Sequence, residues 1–544
     1  MNIMDKRFIS IAALCFTLTL HAQQIDLADA ALKGIELEYL GNVVQNKKVE
    51  LYSDITYWNR LGVRFRGWNG GTGGQTTPLP DGNVFWSFQD SYFGLVSENR
   101  TRKKKMNNQP RNAAMIQTGE EKGEDFITLN NYCSTALSKL DYYYMGYTWL
   151  RHPDAKLSNA MQKRGRTDQD FYYWPEDATV VSRNGSTLLQ VMLSGYNADG
   201  DIIETSIAEY LIGDDPTQSD YLTLTQLQRS VAPSFAQYGV AIHEEPDGVY
   251  IYGKVKNENG QGRIVVARTK KRDLLSPWEY YINDGEGNWQ WQTEQPTEEQ
   301  LAKSDIAGGN SVEHPSVFKY NEHYYMITFN SPSGGMYMYQ ADNPWGPFGT
   351  RKRLYVFPSE QGAITHVVVH PQLSRMGEVV LSYNATPVAS TVITRGANGE
   401  AVENVIDAIE RNYTQWESAD LCQLHFVRMF NWQLLFGEEN TGPLTDSGLD
   451  TFVTAIPDIT IDEQPLLSLH YNATQRVVTL STESADARLL RQPVEWTVST
   501  LAGQRVLSHR SEGTPTLSLE QLPRGAYIVV ARQGTEHAVV KIII

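Results

Sequence analysis

The run Leu79-Pro80-Asp81-Gly82-Asn83-Val84-Phe85-Trp86-Ser87-Phe88-Gln89-Asp90-Ser91-Tyr92-Phe93-Gly94 decides how the rest of the chain reads. Pro-Asp-Gly-Asn is turn chemistry. Proline presets the backbone, aspartate bonds its own main chain, and glycine takes conformations closed to other residues. The aromatic and β-branched residues after the turn form a strand whose alternation sends Phe85 to one face and Trp86 to the other. Bulky apolar groups on both faces predict a strand packed between stacked sheets. Asp90 follows the aromatic stretch, at the expected strand end.

The same pattern recurs further along. Arg183-Asn184-Gly185 precedes a strand from Thr187 to Leu193, Pro246-Asp247-Gly248 precedes Val249 to Tyr252, and Tyr320-Asn321-Glu322 precedes Tyr324 to Phe329. Val379 to Tyr383 is a further strand of this kind. Helical patterning is sparse, with Glu403 to Glu410 the one short surface helix expected. Repeated antiparallel hairpins predict an all-β chain. A β-propeller satisfies the pattern because its blades leave only short, protected edges; two sandwiches are the alternative. After about Asp462 the strands Gln475 to Leu480, Val494 to Val498 and Ala526 to Val530 predict a small Ig-like β-sandwich.

Composition narrows the function classes. With 544 residues the chain is long enough for two or more domains. Lys plus Arg total 47 against 63 Asp plus Glu, so the net charge of −16 gives no global footprint for nucleic acid. The basic run from Arg100 to Lys105 reads as a solvated loop. Aromatic residues reach 11%, which favours β-rich folds and surfaces on which sugar rings stack. Lys6 and Arg7 precede an apolar stretch from Ile9 to Leu20, too short to span a bilayer, and Leu20-His21-Ala22 offers a cleavage point. Residues 1–22 are therefore expected to be a signal peptide and 23–54 a lead-in. No other segment is long and apolar enough for a transmembrane helix, so a secreted or cell-surface protein is expected. Two cysteines remain after cleavage, Cys133 and Cys422. One bridge and two buried thiols are both open.

Chemistry is carried by acids at the mouths of strands. Trp68-Asn69-Gly70-Gly71-Thr72-Gly73-Gly74 is no phosphate cradle, since neither a helix nor Lys-Ser/Thr follows. It reads as a sheet-end loop where backbone approaches a ligand. Asp90, Trp174-Pro175-Glu176-Asp177, His243-Glu244-Glu245 and Glu313-His314-Pro315 stand at comparable places in successive hairpin units. In a propeller they converge on one axis. Glycoside hydrolysis needs such convergence: one carboxylate attacks or activates water, and one protonated acid serves the leaving oxygen. Asp90 is the expected base or nucleophile and Glu313 the acid, with Asp177 the third catalytic candidate. Glu176, Glu244, Trp68, Trp174, His314 and His370 are the expected substrate-binding residues. His243, His314, His366 and His370 show no metal-ligand spacing, and no nucleophile elbow is present, so neither metal nor cofactor is expected.

Two resemblances add to this reading. Leu501-Ala502-Gly503-Gln504-Arg505-Val506, then Leu517-Ser518-Leu519, Leu522-Pro523-Arg524-Gly525-Ala526-Tyr527 and Lys541-Ile542-Ile543-Ile544, resemble the type IX secretion C-terminal sorting domain. That resemblance implies a Bacteroidetes-type export route, the type IX machinery as partner, and a sorting domain over 461–544. Residues Val312 to Val317 with Tyr324-Tyr325, and Ala341 to Phe348, are similar to the general-acid module of family 43 and family 32 propeller glycoside hydrolases. Leu79 to Gly94, Trp174 to Asp177, and His370-Pro371 with Ser382-Tyr383-Asn384 resemble exported Bacteroidetes propellers related to endo-D-arabinanases. The resemblance implies a five-bladed propeller over 55–460 acting on a polysaccharide. Relatives often carry Asp where this chain has Thr72. If that acid is the family's base, this chain uses Asp90 or is impaired, and a non-catalytic carbohydrate-binding or adhesion propeller is the alternative.

Overall fold

The computed structural model describes residues 36–118, 126–131, 145–156, 170–246, 248–257, 259–308, 313–330, 335–356, 363–374, 378–386, 392–395, 401–404, 418–419, 422–438, 458–459, 467–473, 475–482, 493–500, 505–511, 516–533 and 536–544. The signal peptide and Cys133 lie outside them.

The protein is all-β. Five sheets, antiparallel except for one two-residue strand, follow one another along the chain. Sheet 1 orders Arg66–Pro78, Val84–Val96, Ala113–Gln117 and Phe126–Thr128, with Arg102–Asn108 also paired to Val84–Val96. Sheet 2 runs Phe171–Arg183, Ser186–Asn197, Ile202–Ile212 and Leu222–Ala232, with the two-residue strand Asp458–Ile459 added in parallel beside Phe171–Arg183. Sheet 3 holds Ala241–Glu245, Gly248–Lys256, Gly262–Thr269, Trp278–Asn283 and Trp289–Gln292. Sheet 4 holds Glu313–Tyr320, His323–Asn330, Gly335–Ala341 and Gly349–Val356. Sheet 5 takes Ala363–Val369, Glu378–Thr386 and Leu424–Phe430 from one end of this region and Asn46–Asp54 and Leu37–Val43 from the other.

In sheets 1 to 4 the predicted turns join the first two strands. Asn184 and Gly185 both adopt positive φ, 54° and 74°, as a two-residue hairpin turn requires. The first strand of each sheet lies against that of the next, and the first strand of sheet 5 lies against that of sheet 1. Phe85 packs with Val180 and Leu189 of sheet 2, whereas Trp86 packs with Val380 and Phe426 of sheet 5. The alternation read from the sequence therefore separates two sheet-on-sheet cores. Sheet 5 is locked by a buried cation: Arg428 donates to Asp54 at 2.6 Å and also to Glu378, joining three of its strands.

Further along, Leu467–Asn472, Val477–Thr482 and Thr516–Ser518 form one sheet, and Arg505–Ser511, Val494–Thr500, Ala526–Gln533 and Glu536–Ile543 another. They share a core of Val478, Trp496, Val498, Leu519 and Val529.

Three expectations are corrected. The start of the expected helix at Glu403 is strand, Ala401–Asn404, paired with the β-branched Val392–Arg395; residues 405–410 lie outside the described ones. Asp90 does not end its strand, which continues to Val96. The glycine run is no loop but part of the strand Arg66–Pro78, interrupted by three register shifts. A short helix that the pattern missed, Glu298–Lys303, starts on a capping box between Thr297 and Gln300. No helix among the described residues is long and apolar enough to cross a membrane.

Candidate active site

The inner strand of sheet 2 supplies most of the site, and a β-bulge is the reason. Its pairing with Ser186–Asn197 slips between Pro175, which has no N–H to donate, and Ala178. Glu176 and Asp177 occupy the slip, where a bulge re-aims side chains.

Glu176 is 1% exposed, and its Oε1 accepts from Ser194 Oγ at 2.7 Å and Gln237 Nε2 at 2.8 Å. Burial pushes its carboxyl up to about 7 against those hydrogen bonds and the charge of Lys254. Asp177 accepts from the backbone N–H of Ala178 at 2.9 Å and of Ile242 at 2.8 Å. Burial, with Glu244 and Glu176 nearby, raises it to about 7 as well.

Asp90 differs. Its side chain keeps 37% of its surface open. Trp174 Nε1 donates to its Oδ1 at 3.2 Å, and Arg111 Nη1 lies 3.4 and 3.3 Å from its two oxygens. Enclosure pushes the Asp90 carboxyl up, while Arg111 and Trp174 oppose that rise. The Arg111 guanidinium lies 4.0 Å over the Tyr172 ring, Tyr172 stacks on Tyr196 at 5.2 Å, and Trp174 meets Tyr196 at 4.6 Å. Gln237 Nε2 also reaches the Tyr196 hydroxyl at 3.3 Å. Asp90 and Glu176 thus flank one aromatic stack.

Towards the C-terminal halves of the inner strands is a cavity of about 50 Å³, lined in part by Gln75, Thr76, Asp177, Glu244, Ser316 and Gln372. At roughly 10–15 Å³ per molecule it has room for a few waters. Glu244 is tied down by Arg272 and Thr179. Glu313 opens its strand opposite Phe329, and its side chain lies outside the described ones. His314, at φ 33°, sets its ring 4.2 Å from that of His366, at φ 53°. Burial, with Lys254 adding, holds His314 well below the ordinary range and His366 down to about 3, so both imidazoles are neutral.

Two predicted ligands are corrected to core residues. Trp68 is fully buried on Phe88, with its Nε1 bonded to Ser91 Oγ at 3.2 Å. His370 is fully buried and uses both nitrogens internally, on Thr76 Oγ1 at 2.7 Å and Ser382 Oγ at 2.8 Å. The glycines owe their place to protein contacts. A Cβ on Gly71 would meet Ser91 Oγ at 2.7 Å, and Asn384 bonds Gly71 O and Gly73 N, both at 3.0 Å. The sequence reading missed Arg111, Tyr172, Tyr196, Gln237 and Lys254. Of these only Tyr172, two residues before Trp174 on the same strand face, left a local signal.

A family of domains of unknown function, DUF5005, matches residues 55–432. The chain belongs to the DUF5005 family. Its match takes in all the site residues above except the strands that close sheet 5 from the N-terminal side. The crystal structure of a candidate hydrolase from Bacteroides ovatus is 33% identical, covers 77% of this chain and 99% of its own, and has a TM-score of 0.65. A family 43 glycoside hydrolase of Xanthomonas citri complexed with xylotriose is 15% identical over 63% of this chain and 92% of its own, TM-score 0.32. An exo-β-1,3-galactanase of Phanerochaete chrysosporium is 8% identical over 89% and 93%, TM-score 0.36. Both are remote in sequence and in superposition. No curated protein matches the chain.

Proposed function

We propose that this DUF5005 protein is a glycoside hydrolase-like five-bladed propeller that acts on a polysaccharide by paired-carboxylate chemistry. The observation that carries the reading is the contrast between its acids. Enclosure raises all three carboxyls, but only Asp90 keeps 37% of its side chain open and has a guanidinium opposing the rise, while Glu176 and Asp177 rise to about 7. An open carboxylate beside a guanidinium suits the group that attacks or activates water, and a separate protonated acid must serve the leaving oxygen. Asp90 takes the first role. Glu313, at the mouth of the sheet 4 inner strand, takes the second and protonates the leaving oxygen. Glu176 is too enclosed to reach a sugar oxygen and acts on the charge of the funnel, while Asp177, which lines the cavity, is the third catalytic candidate. Trp174 offers its ring to the sugar beside Asp90. The Bacteroides ovatus relative, described as a candidate hydrolase, supports the reaction class.

The propeller in this reading takes in the strands Leu37–Val43 and Asn46–Asp54, which complete sheet 5, and runs on to about 460, with the first strands of the five sheets around its axis and residues 1–22 removed on export. Residues 461–544 act as a type IX sorting domain that directs the protein to the cell surface or beyond. A second reading, a non-catalytic glycan-binding propeller, is favoured by one observation: the sheet 1 inner strand offers Thr72, not an acid, between Gly71 and Gly73. Incubating the purified protein with arabinans, xylans and host glycans tests the two. Released reducing ends support hydrolysis; binding without release supports the second reading.

A further inference from the structure

Arg111 stands in a loop just before the strand Ala113–Gln117. Its Nη1 lies 3.4 Å and 3.3 Å from the two Asp90 oxygens, and its guanidinium plane rests 4.0 Å over Tyr172. Tyr172 is in turn stacked on Tyr196. An arginine restrained on one side by a stacked ring has little freedom to leave its carboxylate. The other donor on Asp90, the Trp174 indole, is a neutral group packed against both Tyr172 and Tyr196.

The described groups that bear on Asp90 include Arg111, Trp174, the Tyr172 and Tyr196 rings, and Cys422. Burial pushes the two phenols and the thiol up, so all three are neutral at ordinary pH. Arg111 is the cation among them. Two effects therefore compete at one carboxylate, enclosure by rings and a guanidinium within contact distance.

We infer that Arg111 is the positioning residue for Asp90: it fixes the carboxylate's rotamer against Trp174 and favours its charged form beside the aromatic stack. Its value for the reaction rests on the reading of Asp90 as the attacking or water-activating group. The placement and the charge effect do not, since both concern the unliganded protein. Arg111 does not touch the substrate in this account. It acts through Asp90, and lysine, which carries the charge but has no plane to stack on Tyr172, should replace it only in part.

The Trp174 indole N–H reports on the pair directly, because it donates to Asp90 Oδ1. In full-length protein labelled with 15N-tryptophan, the Trp174 signal is identified by its loss in Trp174→Phe and followed from pH 4 to 8 without substrate. Asp90→Asn should abolish its titration. Arg111→Met should move the midpoint up by about one pH unit or more, a tenfold change in proton affinity, and Arg111→Lys should move it less. A midpoint that stays in place or falls in Arg111→Met overturns the inference. If Arg111→Met does not fold, Arg111→Lys decides: an unchanged midpoint together with an unchanged Trp174 resonance position overturns it. No glycan enters the measurement, so its outcome is independent of whether any polysaccharide is cleaved.

Discussion

Glu176 shows what a single residue does in this structure. Its carboxyl is almost sealed, and two side chains hold one oxygen. The folded protein keeps its proton to about pH 7, whereas the unfolded chain releases it near 4.5. Between those values the native state binds the extra proton, so stability is full below the lower value and falls as pH rises through the upper one. The loss is roughly 3 kcal/mol across the window. Asp177 has the same sign, so thermal unfolding of Glu176→Gln from pH 4.5 to 8 should show a flatter decline, not a flat one. A decline as steep as that of the parent protein would contradict the burial argument. At this scale the sequence was partly legible. The acids could be picked out from the aromatic strands beside them, but Asp90, Glu176 and Asp177 lie within strands and not at their mouths. Trp68 and His370 were misread because burial depends on neighbours distant in sequence. Thr76 and Ser382, which occupy the His370 nitrogens, are 294 and 12 residues away.

At the scale of strands and turns, what is local was readable. Pro80 to Asn83 and Asn184-Gly185 make hairpins because their backbone preferences are set within four residues. The bulge between Pro175 and Ala178 was not readable, since it is a mismatch of counts between two strands. Nor was the make-up of sheet 5, where Asn46–Asp54 pairs with Leu424–Phe430 across most of the chain. That joint rests on Arg428 between Asp54 and Glu378. Arg428→Met leaves two carboxylates buried without their cation, and such losses cost about 3–5 kcal/mol. Chemical denaturation should show the loss with the fold otherwise retained. A change under about 1 kcal/mol would mean that the strands hold without the ion pair. Removing residues 36–54 altogether should expose the apolar faces of sheets 4 and 5, including Val379 and Met429, and give an aggregating protein by light scattering. A monodisperse, folded product would contradict the closing role of these strands.

At the scale of the whole molecule, the two strand systems have separate cores. None of the buried residues around Trp496 belongs to the clusters between sheets 1 to 5. A chain ending near Asp462 should therefore keep the unfolding transition of the five sheets, while losing surface display in a host with type IX export. Retained display would refute the sorting reading. The all-β class was legible because hairpin signals repeat. Which first strands touch was not legible, because those contacts join residues far apart in the chain. The central claim is that Asp90 and Glu313 are the working carboxyl groups of a glycan-cleaving funnel, and reducing-end release from a panel of arabinans, xylans and host glycans tests it most directly. The account predicts that the parent protein cleaves at least one glycan, and that Asp90→Asn and Glu313→Gln each slow it by about 100-fold or more while binding is largely kept. Cleavage that survives both substitutions, or a panel bound but left intact by the parent protein, would contradict it.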